Sequence, residues 1–225
     1  MQELLDLLLP ARCALCSRLG SPVCSDCNQK LIFRSHCFSR GAYSGFAASD
    51  YGDLEKSLIH QFKESGKTSL ARYLALPMID DLVKLAEMAE PAEMAEHSEP
   101  SARPCLVPMP SSRQNYAKRG FNPAMILARR LNALAGRPAE VRSALKLARR
   151  VEDQSALDSD ARAINLQGSM TCSKSMFGRA VILFDDVVTT GATLQEAARA
   201  ATEAGATAVR FLVFSETILK TRPKT

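Results

Sequence analysis

The sequence predicts an α/β fold with a parallel sheet, preceded by a small four-cysteine module, and three observations carry that prediction. Residues 180–184 (AVILF) form an unbroken apolar run that ends at two acids, as strands buried on both faces do. A helical pattern over 193–204 and a second apolar run over 208–214 follow, so strand, turn, helix and strand make a βαβ unit. Far upstream, Cys13-x-x-Cys16 and Cys24-x-x-Cys27 stand as two knuckles separated by seven residues.

The remaining elements follow from spacing. Leu54, Leu58, Ile59 and Phe62 recur at helical intervals over 53–64. A second helical stretch covers about 69–89, with Pro77 ending or kinking it. Residues 105–107 read as a short buried strand, and 123–135 as a helix with Pro123 in its first turn and Gly136 just past its end. Between them, at about 85–104, the repeated AEMAE and a Pro, Glu and Ala bias mark a flexible surface insertion. The expected organisation is a cysteine-bearing module at 1–45 and an α/β domain at 46–225.

Composition narrows the class. The chain has 225 residues, 46% hydrophobic and 24% charged, which is enough for one α/β core with an appendage. It has no run of eighteen apolar residues, so no membrane insertion is expected. The opening MQELLDLLLP carries Glu3 and Asp6 and lacks a basic start, which favours a short amphipathic helix over a secretory signal and implies a cytoplasmic protein. The net charge of +5 is uneven: residues 113–150 hold ten Lys/Arg against Glu140 alone. Such a block suits a polyanion or a solvated helix face.

The junction after AVILF carries the chemistry. Asp185 and Asp186 are expected beyond the strand's carboxyl end, where ligands of open α/β sheets bind. Val187 and Val188 follow, then Thr189, Thr190, Gly191, Ala192 and Thr193 lead straight into a helix. Threonine hydroxyls and free helix amides make an anion site, and Gly191 permits close backbone approach. Paired carboxylates in front of a phosphate site make sense only if they serve hydroxyls or a divalent cation, the combination that a ribose 5-phosphate needs. A bare strand-turn-helix junction would explain one threonine, not this whole series. Gly66-Lys67-Thr68 imitates the end of an ATPase phosphate loop, but Gln61 stands where the leading glycine belongs.

Seven cysteines, an odd number, argue against a disulfide framework. Cys13, Cys16, Cys24 and Cys27 have the spacing of a closed tetrahedral structural Zn²⁺ site. His36 and Cys37 lack a partner knuckle, because Arg40 stands where another cysteine pair would end, and both read as spare.

DDVVTTGAT closely resembles the phosphoribosyl pyrophosphate (PRPP) signature of type I phosphoribosyltransferases. The whole chain resembles the ComF family, which includes the GntX group. The likeness runs through LLDLLLPARCALC, the cysteine module, IHQFKESGK at 59–67, VPMP, RGFNPAMILAR at 119–129 and the PRPP loop. It also takes in Arg149, Gln154, Leu157, Arg162 and Asn165. The chain departs from the family where Cys37 and Arg40 replace a further cysteine pair, where Ser169 and Met170 follow Gly168, and where Glu64 follows Lys63 in place of a frequent tyrosine. The resemblance implies a type I phosphoribosyltransferase-like fold whose substrate is PRPP with Mg²⁺. It implies that Asp185, Asp186 and Arg119 are the catalytic groups, that Arg119, Gly120 and Phe121 meet the pyrophosphate, and that Arg149, Gln154, Arg162 and Asn165 ride on a loop that closes over it. The acceptor is not legible. Two outputs remain open: transfer of phosphoribosyl to that acceptor, or a PRPP-binding module whose partner is single-stranded DNA or competence machinery.

Overall fold

The structure, a computed structural model, describes residues 11–89, 103–148 and 166–217. The leader, most of the insertion, and the positions Arg149, Gln154, Arg162 and Asn165 lie outside the described residues.

After the cysteine module, which holds one helical turn, α1 (Ser25–Asn28), the chain forms a hairpin of β1 (His36–Arg40) and β2 (Tyr43–Asp50). Helix α2 (Asp53–Lys63) follows, then a broken helical stretch containing α3 (Ala71–Ala75) and α4 (Ile79–Glu87). The break falls at Pro77, inside a short 3₁₀ turn (Leu76–Met78). Strand β3 (Cys105–Pro108) leads into α5 (Arg113–Arg119) and α6 (Pro123–Leu134), then β4 (Glu140–Val141) and β5 (Leu145–Leu147). The chain closes with β6 (Met170–Cys172), β7 (Ala180–Val188), α7 (Ala192–Glu203) and β8 (Ala208–Glu216).

Six strands make the main sheet in the order β1-β2-β8-β7-β3-β4, and β5 pairs with β6 in a separate ribbon. Only β1 runs antiparallel in the main sheet. Side chains alternate across it with period two. Ile182, Phe184, Leu212, Phe214 and Leu106 enter one core with Leu58, Phe62, Leu74, Leu82, Leu127 and Leu131 of the helices. Val181, Leu183, Phe211, Val213 and Val107 enter the other with Leu194, Ala197 and Ala201 of α7 and with Met170. Both faces are covered, which is why these strands read as continuous apolar runs.

Two elements differ from the sequence expectation. The hairpin joins the main sheet by pairing β2 with β8 in parallel, so a boundary at residue 45 falls inside β2. Alternating Phe38, Phe46 and Ala48 were too few and too mixed with Gly and Ser to read as strands. Helix α5 also escaped the spacing, because none of its residues is buried. It is set by its ends: the Ser112 hydroxyl accepts from the Asn115 amide at 3.1 Å, and Gly120 terminates it at φ 76°.

Phe62 is fully buried and lies in the core that packs α2 against the sheet. Phe62→Ala is expected to lower unfolding stability by about 3–5 kcal/mol in denaturant titration. A loss under about 1 kcal/mol would show that α2 is held by other means.

Candidate functional site

Strand β7 does not stop at Phe184. It continues through Val188, so Asp185 and Asp186 lie within the strand near its carboxyl end, paired in register with Val213 and its neighbours of β8. The pleat sends the two carboxylates to different surroundings. Asp186 is 2% exposed, and the Asp186 amide donates to Asp185 Oδ1 at 2.9 Å. Burial first, then the neighbouring Asp186 charge, pushes the Asp185 carboxyl up to about 7.

The charge on Asp186 is answered from α2. Lys63 Nζ donates to Asp186 Oδ1 at 2.7 Å and lies 2.6 Å from Oδ2. Burial works against the ammonium, yet Asp186 and Asp185 outweigh it and raise its pKa. The residues on either side of Lys63 hold the segment after α5. Phe62 packs its ring 6.5 Å from that of Phe121, and Glu64 pairs with Arg119 and with Lys118, the latter at 3.0 Å. Three consecutive residues of α2 and its cap thereby bring Asp186 and the Arg119-Gly120-Phe121 turn to one place. Gly120 closes the turn at φ 76°, and a Cβ there would meet no other atom of the chain.

Beyond β7, Thr189 is exposed and Thr190 Oγ1 accepts from the Ala192 amide at 3.5 Å. Gly191 caps α7 at φ 81° with no side-chain cap hydrogen bond, and Thr193 stands exposed in the first turn. A Cβ on Gly191 would come within 2.4 Å of Arg40 Cγ. Arg40 also donates to the Thr189 carbonyl at 3.1 Å and pairs with Glu216 at 2.6 Å. Gly191 is therefore required by a side chain of the chain itself.

Sequence reasoning missed Lys63, Glu64, Arg40 and Glu216. The first two lie in IHQFKESGK, a segment noticed for its resemblance but given no role. Arg40 was seen only as a missing cysteine. Nothing local distinguishes Glu216, whose carboxylate also takes His36 Nε2 at 2.8 Å.

Cys13, Cys16, Cys24 and Cys27 place their sulfurs within 4.8 Å of one another. The Cys16 and Cys24 sulfurs are 3.6 Å apart, close to the edge of about 3.8 Å of a tetrahedron with 2.3 Å metal–sulfur bonds. Burial raises the Cys13 thiol, but amides of Cys24, Cys16 and Leu15 outweigh it and hold it down to about 6. Burial, then contact with the other three cysteines, pushes Cys27 up to about 12. Four thiols so close ionise together only if a cation lies between them, so the set fits a metal ion. Cys37 is exposed and outside the cluster.

A family profile described as the phosphoribosyl transferase domain matches residues 116–224. The competence protein ComFC of Bacillus subtilis (strain 168) is 28% identical over 207 residues, covering 86% of this chain and 72% of that protein. The chain thus resembles the phosphoribosyl transferase domain over its second half and ComFC over most of its length. Among solved structures, the chain is similar to a B. subtilis glutamine PRPP amidotransferase, at 18% identity and TM-score 0.35, over 64% of this chain. It spans 26% of that enzyme's length. It is also similar to a hypoxanthine phosphoribosyltransferase from Trypanosoma cruzi, at 15% identity and TM-score 0.35, covering 72% of this chain and 74% of that one. Likeness at that level carries no argument about activity.

The acid pair gives this protein a pH signature. Folded Asp185 keeps its proton up to about 7, whereas the unfolded chain releases it near 3.8. Between those values the folded state binds the extra proton, so raising the pH removes stability. Asp185→Asn cannot ionise there. The wild-type stability, measured by urea unfolding, is expected to fall relative to this variant from pH 4 to pH 7. Parallel profiles would mean that Asp185 titrates normally.

Proposed function

We propose that this chain binds PRPP with Mg²⁺ through residues 185–193 and transfers its phosphoribosyl group to an acceptor of unidentified class. One observation carries the reading: two carboxylates at the end of a parallel strand lie next to a glycine turn and a helix N-terminus whose cap residue, Gly191, has no side chain to fill it. That turn suits the 5-phosphate, held by the amides of Gly191, Ala192 and Thr193 and the hydroxyls of Thr189, Thr190 and Thr193. Asp185 and Asp186 suit the ribose diol, with Val187 and Val188 fixing the strand that presents them. Carboxylate oxygens also suit Mg²⁺, which when bound supplies positive charge to the pyrophosphate. Arg119, on the turn with Gly120 and Phe121, is assigned to the pyrophosphate.

In the reaction, the bond from C1 to pyrophosphate oxygen breaks with its electron pair leaving on pyrophosphate. The acceptor's lone pair forms the new bond to C1, and its proton passes to solvent. The leaving group carries most of the developing charge, so a cation beside it lowers the barrier. Arg149, Gln154, Arg162 and Asn165 are assigned to the loop that closes over the site and excludes water. The likeness to a competence protein supports a role in DNA uptake, and a cytoplasmic location is part of the same reading.

A second reading keeps PRPP binding but makes single-stranded DNA or a competence protein the partner, without turnover. An open groove of about 690 Å³ lined by Arg72, Arg129 and Arg130 favours it, with Tyr116 exposed nearby on α5. No described helix is long and apolar enough to cross a membrane.

Calorimetry with PRPP tests the main reading. Binding is expected to need Mg²⁺, to be lost in the Asp185→Asn, Asp186→Asn double variant, and to weaken roughly ten- to a hundredfold in Arg119→Ala. PRPP affinity unchanged in both variants rules out the assignment. Pyrophosphate release in the presence of candidate nucleobases distinguishes turnover from binding alone.

The cysteine cluster is assigned one structural Zn²⁺. Elemental analysis of protein purified without chelators is expected to find one zinc per chain, and Cys24→Ser is expected to lower thermal stability. A content well under one would defeat this assignment.

A further inference from the structure

Arg119 is already engaged. Its Nη2 pairs with Glu64 Oε1, while Lys118 Nζ takes Glu64 Oε2 at 3.0 Å. One carboxylate thus offers two oxygens to two cations, as a phosphate group does. Among the described residues, Arg119 Nε is buried without an acceptor. One donor of the guanidinium is held by the chain's own acid and another is unanswered, an unfavourable state for a buried group. The Arg119 side chain is 16% exposed and that of Glu64 27%, so the pair is partly open to water.

The helix does not account for Glu64. It stands at the carboxyl cap of α2, where the helix dipole disfavours an acid and favours the lysine one residue earlier. Hydrogen bonds from Lys118 and Arg119 compensate and hold its pKa below the usual carboxylate range. Lys63 mirrors the arrangement by placing a cation against Asp186. In each case a side chain of α2 lies against a group assigned to the ligand.

We infer that Glu64 is an internal competitor for the anion position of Arg119, occupying the place of a pyrophosphate group and yielding it when that group binds. The inference rests on the assignment of Arg119 to the pyrophosphate of PRPP. A rival role, a clamp that holds Arg119 ready, differs in sign. Removing a competitor tightens anion binding, whereas removing a clamp loosens it.

The test is calorimetry on the full chain with inorganic pyrophosphate, and separately with PRPP and Mg²⁺. The proteins are wild type, Glu64→Gln, Arg119→Ala and the double variant, each checked by thermal melting. Glu64→Gln is expected to bind both ligands about two- to fivefold more tightly, a gain consistent with a partly exposed ion pair. In the Arg119→Ala background that gain is expected to vanish. PRPP binding that is intact but unchanged or weaker in Glu64→Gln overturns the competitor role alone. A gain that persists without Arg119 overturns it too, since it then reflects bulk charge. If wild type and every variant bind neither ligand, the PRPP reading falls and this inference falls with it.

Discussion

Everything in the candidate site depends on the contact between Lys63 and Asp186. Asp186 is almost fully buried beside a second carboxylate, an arrangement that repels itself unless a cation stands close. The ammonium that does so comes from the last residue of a helix far away in sequence and approaches the carboxylate to 2.6 Å. Since Phe62 and Glu64 flank it, the same contact sets the position of Phe121 and Arg119. One ion pair therefore aligns the end of the central strand with the turn after α5. The arrangement is rigid because Phe62 is anchored in the core.

The sheet supplies the other half of the geometry. Strands β7 and β8 are buried on both faces, so their side chains have two fixed directions and no freedom to slip register. Adjacent residues Asp185 and Asp186 consequently meet different environments, and only one of them receives the lysine. A single strand can in this way offer one carboxyl group whose pKa burial raises and another that is paired with a lysine.

The central βαβ unit, helices α2 and α6, and the cysteine cluster were legible in the sequence because each rests on local regularity: apolar runs, helical spacing, fixed intervals. The hairpin was not, since Gly45 and several serines interrupt its alternation and its pairing with β8 spans the chain. Helix α5 has no buried face to leave a pattern. At the site, the 185–193 loop announced itself through a dense run of chemically unusual residues. Lys63 and Glu64 did not, because a lysine next to a glutamate on a helix is ordinary until the fold shows what each one faces. Gly191 was noticed for its freedom of backbone, but its neighbour Arg40, for which its missing side chain makes room, was not foreseen.

Cys13, Cys24 and Cys27 belong to the same apolar cluster as Leu58, Phe62 and Phe214, and the ring of Phe33 meets that of Phe214 edge-on at 5.6 Å. The cysteine segment is therefore a wall of the main core, and the chain offers no clean seam at which it could be cut away. Cutting the chain ahead of the hairpin would therefore strip cover from the helical face of the sheet and expose apolar side chains such as Phe214 to water.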